Sequence, residues 1–174
     1  VSVAIQGMGN VGRVLAQRLH EAGARLYVAD LHSSNCADAA RRLGASVVSV
    51  DDILALDVDV VAPCAMGAVI NDETVKSIQA RIVAGSANNQ LALERHGQAL
   101  QARGILYAPD YVINAGGVID VAMDVTGFGS GSVAEKVRDI GSTLSLIFAR
   151  SYDTGVSTHV IADQMALERL QRIH

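Results

Sequence analysis

The sequence is poor in several residue types, and each shortage excludes a class of protein. Its 174 residues include two cysteines and no tryptophan, and aromatic residues make up only 3% of the chain. The cysteines, Cys36 and Cys64, are too few and too far apart in the sequence for a disulfide framework or a zinc site. We therefore expect a protein of a reducing compartment, the cytoplasm, with no bound metal.

Basic clusters and long apolar runs are also missing. Lysine and arginine number 14 against 18 acidic residues, which gives a net charge of −4, and the two signs are interspersed. A protein that binds nucleic acid usually carries a basic patch. No apolar run approaches the roughly 20 residues that cross a bilayer, and the first residues lack the features of a signal peptide. We expect neither nucleic acid nor a membrane as a partner.

Hydrophobic residues, by contrast, are abundant. They make up 50% of the chain, which is enough to build the core of one compact domain. The chain begins with Val1, inside its first predicted strand, and has no initiator methionine. We therefore expect it to be a piece of a longer protein.

Short β-branched runs alternate with stretches of helical periodicity. Strands are predicted at residues 1–6, 25–30, 45–50, 58–62, 81–84 and 105–108. Helices are predicted at residues 10–22, 34–43, 71–78, 89–102, 116–125, 133–151 and 159–173, with a flexible turn at 127–132. Because the strands are almost wholly apolar, both faces of the sheet should be buried. The pattern predicts an α/β fold, a three-layer doubly wound sheet, mainly parallel, of order 3-2-1-4-5-6 with C-terminal helices.

Three glycines, Gly7, Gly9 and Gly12, follow the first predicted strand and open the first predicted helix. In a dinucleotide-binding turn the first permits the tight turn, the second leaves room for the pyrophosphate and the third lets the helix lie close to the strand. Asp30 ends the next predicted strand, where a carboxylate binds the ribose hydroxyls and repels a 2′-phosphate. The motif favours NAD over NADP. A packing turn, or a site for FAD or S-adenosylmethionine, is the alternative.

Small and polar residues also follow the fourth, fifth and sixth predicted strands. The three segments are residues 62–67, 84–89 and 114–117. Each alone is as readily an ordinary turn, because Gly, Ser and Asn favour turns for conformational reasons. Together they would lie along the carboxyl edge of the sheet, where an open α/β sheet holds its ligand.

Five stretches that span nearly the whole chain carry a resemblance. They read VAIQGMGNVG, VVAPCAMGAVIN, IVAGSANNQL, RHGQALQARGILYAPDYVINAGGVIDVA and THVIADQMALER. In this order they resemble the cofactor-binding domain of the glutamate, leucine, phenylalanine and valine dehydrogenases, most of all the leucine branch. The resemblance implies that residues 1–174 are the Rossmann domain of an NAD-dependent enzyme that oxidatively deaminates an L-amino acid to a 2-oxo acid and ammonia. The substrate domain would precede this chain, and the whole enzyme would be a homo-oligomer.

The resemblance also assigns roles to individual residues. The NAD cofactor would be held by Gly7, Met8, Gly9, Asn10, Val11, Gly12, Asp30, Leu31, Cys64, Ala65, Ala87, Asn88 and Asn114. Asn114 would also reach the substrate, and Thr143 and Leu146 would line the pocket for its side chain. Because Leu146 would leave a substrate carboxylate unpaired, we expect an apolar amino acid, leucine-like or aromatic. Leu146 could instead fill the helix core.

No catalytic residue is predicted in this chain. The lysines and the aspartate on which the family's chemistry relies belong to the preceding domain, whereas Lys76 and Lys136 are expected to be solvated surface residues. The five histidines are scattered singly, without metal-ligand spacing, and are expected at the surface or in caps. The chain alone should therefore bind NAD without turnover. A stand-alone NAD-sensing regulatory module and a different dehydrogenase on the same scaffold are the alternative functions.

Overall fold

The structure, a computed structural model, describes residues 1–126 and 132–172. Within this part of the chain, six strands form one parallel sheet. They are β1 (Ser2–Gln6), β2 (Arg25–Ala29), β3 (Ser46–Val47), β4 (Val60–Pro63), β5 (Ile82–Val83) and β6 (Leu106–Tyr107). The helices are α1 (Asn10–Glu21), α2 (Ser33–Leu43), α3 (Thr74–Ser77), α4 (Arg95–Ala102), α5 (Asp110–Ile113), α6 (Gly116–Thr126), α7 (Val133–Thr154) and α8 (Thr158–Gln171), with a 3-10 helix at Ile53–Ala55. The strand order, β3-β2-β1-β4-β5-β6, confirms the predicted topology.

The central strand β1 is buried on both faces. Val3 and Ile5 join a core cluster that includes Ala16 of α1 and Cys36 of α2. Ala4, between them, joins a second cluster built from the 3-10 helix, α3 and α4. Successive side chains of a strand point to opposite faces, so two helical layers enclose the sheet as the apolar strands predicted.

Successive strands are added to one side of β1 up to β3 and to its other side from β4 onwards. Strand β1 pairs with β2 on one side and with β4 on the other. The Cys64 N–H donates to the Gln6 carbonyl oxygen at 2.7 Å and continues the pairing beyond β4. The turn after β1 and the loop after β4 therefore lie side by side, at the crevice where doubly wound folds bind ligands.

The predicted helix at 89–102 is wrong in its first half, because α4 begins only at Arg95. Asn89 has a positive φ of 52°, and Leu91 forms a parallel bridge with Ile70. Pairing with the loop after β4 thus replaces the first helical turns. The predicted helix at 71–78 is likewise reduced to α3, and β3, β5 and β6 have two residues each.

The C-terminal helices pack together beyond the sheet. Ser132 caps α7 through a reciprocal pair of hydrogen bonds with Glu135. Buried residues of α7 and α8 then form a third cluster, against which Val112 of α5 packs. Of the flexible turn predicted at 127–132, all but Ser132 lies outside the described residues. None of the described helices is both long and apolar enough to cross a bilayer.

Candidate functional site

The turn after β1 depends on the absence of a side chain at two of its three glycines. Gly7 has a φ of +100°, and a Cβ there would lie 2.6 Å from the Ala65 Cβ. A Cβ on Gly12 would lie 2.0 Å from the Gly7 carbonyl oxygen. Gly9 differs, because a Cβ there would meet no atom within 4 Å. The packing of the chain therefore requires glycine at positions 7 and 12 but not at position 9.

Asp30 follows β2 and fixes the glycine turn. Its Oδ2 accepts the Met8 N–H at 2.7 Å, and its Oδ1 accepts the His32 N–H at 2.8 Å. Burial alone would raise the pKa of this carboxyl, but the hydrogen bonds donated to it outweigh burial and hold the pKa below its ordinary value. A carboxylate has about four lone-pair sites. The side chains of Asn35 and the exposed His32 also approach this carboxylate, so a ligand hydroxyl would bind in place of one of them.

A cleft of about 330 Å³ opens beside this turn. It brings together Gly7, Asp30, Leu31 and Ala65, all of which the sequence assigned to the cofactor. The lining residues that sequence reasoning missed are Gln6, Ala29, His32, Val50, Met66 and Val69. The buried Oε1 of Gln6 has no hydrogen-bond partner among the described residues. The cleft thus combines apolar walls with the Asp30 carboxylate, as a site for a flat and partly polar ligand would.

Three further residues of the turn differ in what they can offer to a ligand. The Met8 side chain is 1% exposed and packs in the core, so only its backbone can face the cleft. The Asn10 Oδ1 accepts from the Arg13 guanidinium at 2.9 Å. Val11 is exposed in the first turn of α1, which has no side-chain cap. The first N–H groups of α1 have no partner within the helix.

Asn88 and Asn114 lie together at another part of the sheet edge. The Asn114 Nδ2 donates to the Asn88 Oδ1 at 2.5 Å and lies 3.4 Å from the Ser86 carbonyl oxygen. In this orientation the Asn114 Nδ2 faces the Ser86 carbonyl oxygen, which can only accept. The Asn114 Oδ1 accepts no hydrogen bond from the described residues and is available to a donor.

The loops that carry Cys64 and Ala87 pack backbone against backbone. A Cβ on Gly85 would lie 2.1 Å from the Pro63 carbonyl oxygen, which accepts the Ala87 N–H at 2.9 Å. Ala87 is buried, and Cys64 is half-buried with a free thiol. Pro63, Gly85 and Ala87 therefore join the loops after β4 and β5, and Ala87 presents little side chain to a ligand.

Thr143 and Leu146 lie on α7, which packs against α5, the helix that ends just before Asn114. Leu146 is 54% exposed, whereas its neighbour Ile147 is 1% exposed and fills the third core cluster. The interpretation of Leu146 as a core residue of the helix is therefore wrong. Thr143 is half-buried.

Two histidines that were expected at the surface or in caps are buried. The His96 Nδ1 accepts the Leu93 N–H at 3.0 Å just before α4, and its Nε2 lies 2.9 Å from the Asp72 Oδ1. His159 is 5% exposed, and neither of its ring nitrogens has a partner within the described ranges. Burial lowers the pKa of His159 below its ordinary value. The expectation of a surface or capping position is therefore wrong for both, since His96 lies within α4 and the N-cap of that helix, Glu94, has no side-chain capping bond.

Comparison with known proteins identifies relatives along the whole chain. The profile of the Glutamate/Leucine/Phenylalanine/Valine dehydrogenase family matches residues 28–167. The chain is 44% identical over 172 residues to leucine dehydrogenase of Bacillus subtilis, covering 99% of this chain and 47% of that protein. It is 43% identical to L-tryptophan dehydrogenase of Nostoc punctiforme, covering 98% of this chain and 48% of that protein. The crystal structure of a Nostoc punctiforme L-tryptophan dehydrogenase superposes with a TM-score of 0.94 over 98% of this chain and 52% of that one, at 43% identity. The chain thus spans about half the length of these relatives.

Proposed function

The chain belongs to the Glutamate/Leucine/Phenylalanine/Valine dehydrogenase family, and from this premise we propose that it is the NAD-binding domain, residues 1–174, of an amino-acid dehydrogenase. The observation that carries the proposal is the open space at Gly9. Gly7 and Gly12 are explained by packing, whereas nothing in the packing requires glycine at position 9; at the second glycine of a strand–turn–helix motif, a ligand that approaches the backbone would require it. The cleft that Gly7 and Asp30 line beside the turn supports the same conclusion.

Each part of the dinucleotide has a counterpart in the described site. The pyrophosphate would rest on the turn at residues 7–12 and on the first N–H groups of α1. The adenosine would occupy the cleft of about 330 Å³, with its ribose at Asp30. The nicotinamide would lie at Asn88 and Asn114. Bound NAD supplies the acceptor for the hydride that leaves the substrate α-carbon.

The preference for NAD over NADP rests on Asp30. Its pKa is lowered by the hydrogen bonds that outweigh its burial, so the carboxylate is charged at neutral pH. A 2′-phosphate placed at the ribose would meet this charge at close range, whereas a 2′-hydroxyl would donate to it. The fixed position of the carboxylate, set by Met8 and His32, favours the hydroxyl.

The substrate would be an apolar amino acid, leucine-like or aromatic, bound between this chain and a preceding domain that supplies the acid–base groups. Leu146 offers an exposed apolar side chain on α7, beside the helix that leads to Asn114. A charged substrate side chain would have no partner there. We expect this chain alone to bind NAD without turnover and the whole protein, as a homo-oligomer, to form NADH with leucine faster than with glutamate.

Calorimetric titration of the 174-residue chain with NAD+ and NADP+ tests the proposal. Gly9→Ala should weaken NAD+ binding at least roughly tenfold while the thermal midpoint stays unchanged, because the added methyl meets only the ligand. Gly141→Ala is the matched control, since Gly141 also faces open space but lies on α7, and it should leave NAD+ binding intact. Failure of the unmodified chain to bind either nucleotide would refute the proposal.

The same titration with Asp30→Asn tests the choice of cofactor. The new NH2 group opposes the N–H of Met8 or His32 and should weaken both nucleotides. The ratio of the NAD+ affinity to the NADP+ affinity should nevertheless fall about tenfold, because NAD+ loses a charged hydrogen-bond acceptor and NADP+ loses a repulsion. Equal affinity of the unmodified chain for both nucleotides would contradict the role assigned to Asp30 and leave the dinucleotide site itself standing.

A further inference from the structure

Asp110 is a buried carboxylate held by backbone donors alone. It begins α5 and is 6% exposed. Its Oδ2 accepts the Gln90 N–H at 2.6 Å, and its Oδ1 accepts the Tyr111 N–H at 2.7 Å. No lysine or arginine pairs with it in the ranges that the structure describes. The two N–H groups therefore compensate for the loss of water around this carboxylate.

Gln90, the first of these donors, closes the loop after β5 on itself. Its side chain is fully buried, and its Nε2 donates to the Gly85 carbonyl oxygen at 2.8 Å and to the Ala87 carbonyl oxygen at 3.0 Å. Asn88 lies within the segment that these bonds close. Asp110 thus holds Gln90, and Gln90 holds the shape of the loop that presents Asn88.

Asp110 also begins the helix that leads to the other asparagine, and its Oδ1 accepts the Tyr111 N–H of that helix. The Asn114 N–H donates to the Asp110 carbonyl oxygen at 2.9 Å, which ends the single turn of α5. One residue therefore connects the loop of Asn88 with the helix that delivers Asn114. The two asparagines meet through the Asn114 Nδ2, so the oxygen of the same amide is left for a ligand.

We propose that Asp110 is a positioning residue that, together with Gln90, sets the orientation of the Asn114 carboxamide. The oxygen of that carboxamide then accepts an N–H from the carboxamide of the nicotinamide. Asp110 itself touches neither cofactor nor substrate. This inference rests on the proposed function, because it needs a dinucleotide whose nicotinamide end lies at Asn114.

The test compares NAD+ with ADP-ribose, which lacks the nicotinamide, on the 174-residue chain. In Asp110→Asn the new NH2 group opposes the N–H of Gln90 or Tyr111. The connection that Asp110 makes between the loop after β5 and α5 is therefore lost. NAD+ should then bind about tenfold more weakly and ADP-ribose less than about twofold more weakly. The ratio of the NAD+ affinity to the ADP-ribose affinity is decisive, because a general loss of stability would weaken the binding of both ligands alike.

Asp163→Asn is the matched control. Asp163 accepts the Tyr111 hydroxyl at 2.6 Å and so contacts the same helix, but it does not join α5 to the loop. It should leave the ratio unchanged. Gln90→Met, which removes both Nε2 bonds and keeps the backbone donor to Asp110, should lower the ratio in the same direction and provides the measurement if Asp110→Asn fails to fold.

A double substitution separates positioning from a structural role. Asp110→Asn in the background of Asn114→Ala should weaken NAD+ no further, because an effect that acts through Asn114 disappears with it. Equal weakening of NAD+ and ADP-ribose in Asp110→Asn, or full additivity with Asn114→Ala, would overturn the inference while dinucleotide binding stands. If the unmodified chain binds neither ligand, the proposed function itself fails.

Discussion

The glycine turn at residues 7–12 and the asparagine region are held together differently; the asparagine region comprises the loop at 84–90, α5 with Asn114, and the start of α8 that packs beside them. Both need a glycine, since a Cβ on Gly12 would meet the Gly7 carbonyl oxygen and one on Gly85 would meet the Pro63 carbonyl oxygen. The glycine turn adds one carboxylate, Asp30, whereas the asparagine region adds the bonds of Gln90, Asp110 and Asn114. The first region should therefore be the more sensitive to an added atom, and the second to the removal of a polar atom.

Gly12→Ala should produce the largest effect on stability. The new methyl carbon would lie 2.0 Å from a backbone oxygen, so either α1 or the turn has to move. Overpacking of this kind costs about 3 kcal/mol, and the gain in helix propensity of about 1 kcal/mol does not offset it. Urea unfolding measures the loss. Gly141→Ala is the control, because the same change in open space on α7 should not destabilise. A Gly12→Ala chain as stable as the unmodified one would break the comparison.

Thr158→Val tests the second region with a smaller expected effect. The Thr158 Oγ1 donates to the Tyr107 carbonyl oxygen at 2.7 Å and is buried, so it ties α8 to β6, the strand that leads to α5. Removing a buried donor costs about 1–2 kcal/mol. Thr154→Val deletes a similar bond to the Arg150 carbonyl oxygen, and a longer one from the Val156 N–H at 3.3 Å, on an exposed helix position; because water can replace both, it should cost under about 0.5 kcal/mol. Equal losses in urea unfolding would show that burial of the bond is irrelevant.

The contrast between the two regions also explains which parts of the fold could be predicted from the sequence and which could not. Buried strands have a simple signature, a continuous apolar run, and the glycine spacing marks where the first strand turns into a helix. Both are local, and the strand order followed from them. The start of α4 was mispredicted because the segment at 89–94 has helical spacing but pairs with Ile70, about twenty residues earlier in the chain. That partner is invisible to periodicity.

Within the site, the same division applies. Gly7, Gly12 and Asp30 belong to a pattern whose spacing encodes its geometry: Gly7 and Asp30 line one cleft, and Gly12 packs against the Gly7 carbonyl oxygen. Gln90 and Asp110 carry no such pattern. Each is an ordinary polar residue until the other is placed beside it, at a separation of 20 residues. A turn that requires glycines at fixed spacing leaves a recognisable motif in the sequence, whereas a side-chain contact between two distant loops leaves none.

The smallest expected effect concerns the pH dependence of the free energy of unfolding. Titratable groups of the two regions should begin to lower this free energy at different pH values. Asp30 in the first region has a pKa below its ordinary 3.8, so its contribution to stability is full above that value and is lost only in stronger acid. His159, in the second, has a pKa lowered by burial in spite of the nearby Asp163 and Glu94. Below its ordinary 6.5 the unfolded chain binds a proton that the folded chain excludes, so folding stability should start to fall there.

His159→Phe isolates the second of these pH windows. The substitution removes two ring nitrogens that have no partner in the described part of the chain, so the free energy of unfolding should vary less between about pH 7 and about pH 5 than in the unmodified chain. His20→Gln alters an exposed histidine of α1 and should leave that slope in place. Urea unfolding at several pH values gives the slopes. An unchanged slope in His159→Phe would mean that the buried ring takes up its proton as readily in the folded state as in the unfolded state. The two regions would then not lose stability in separate pH windows.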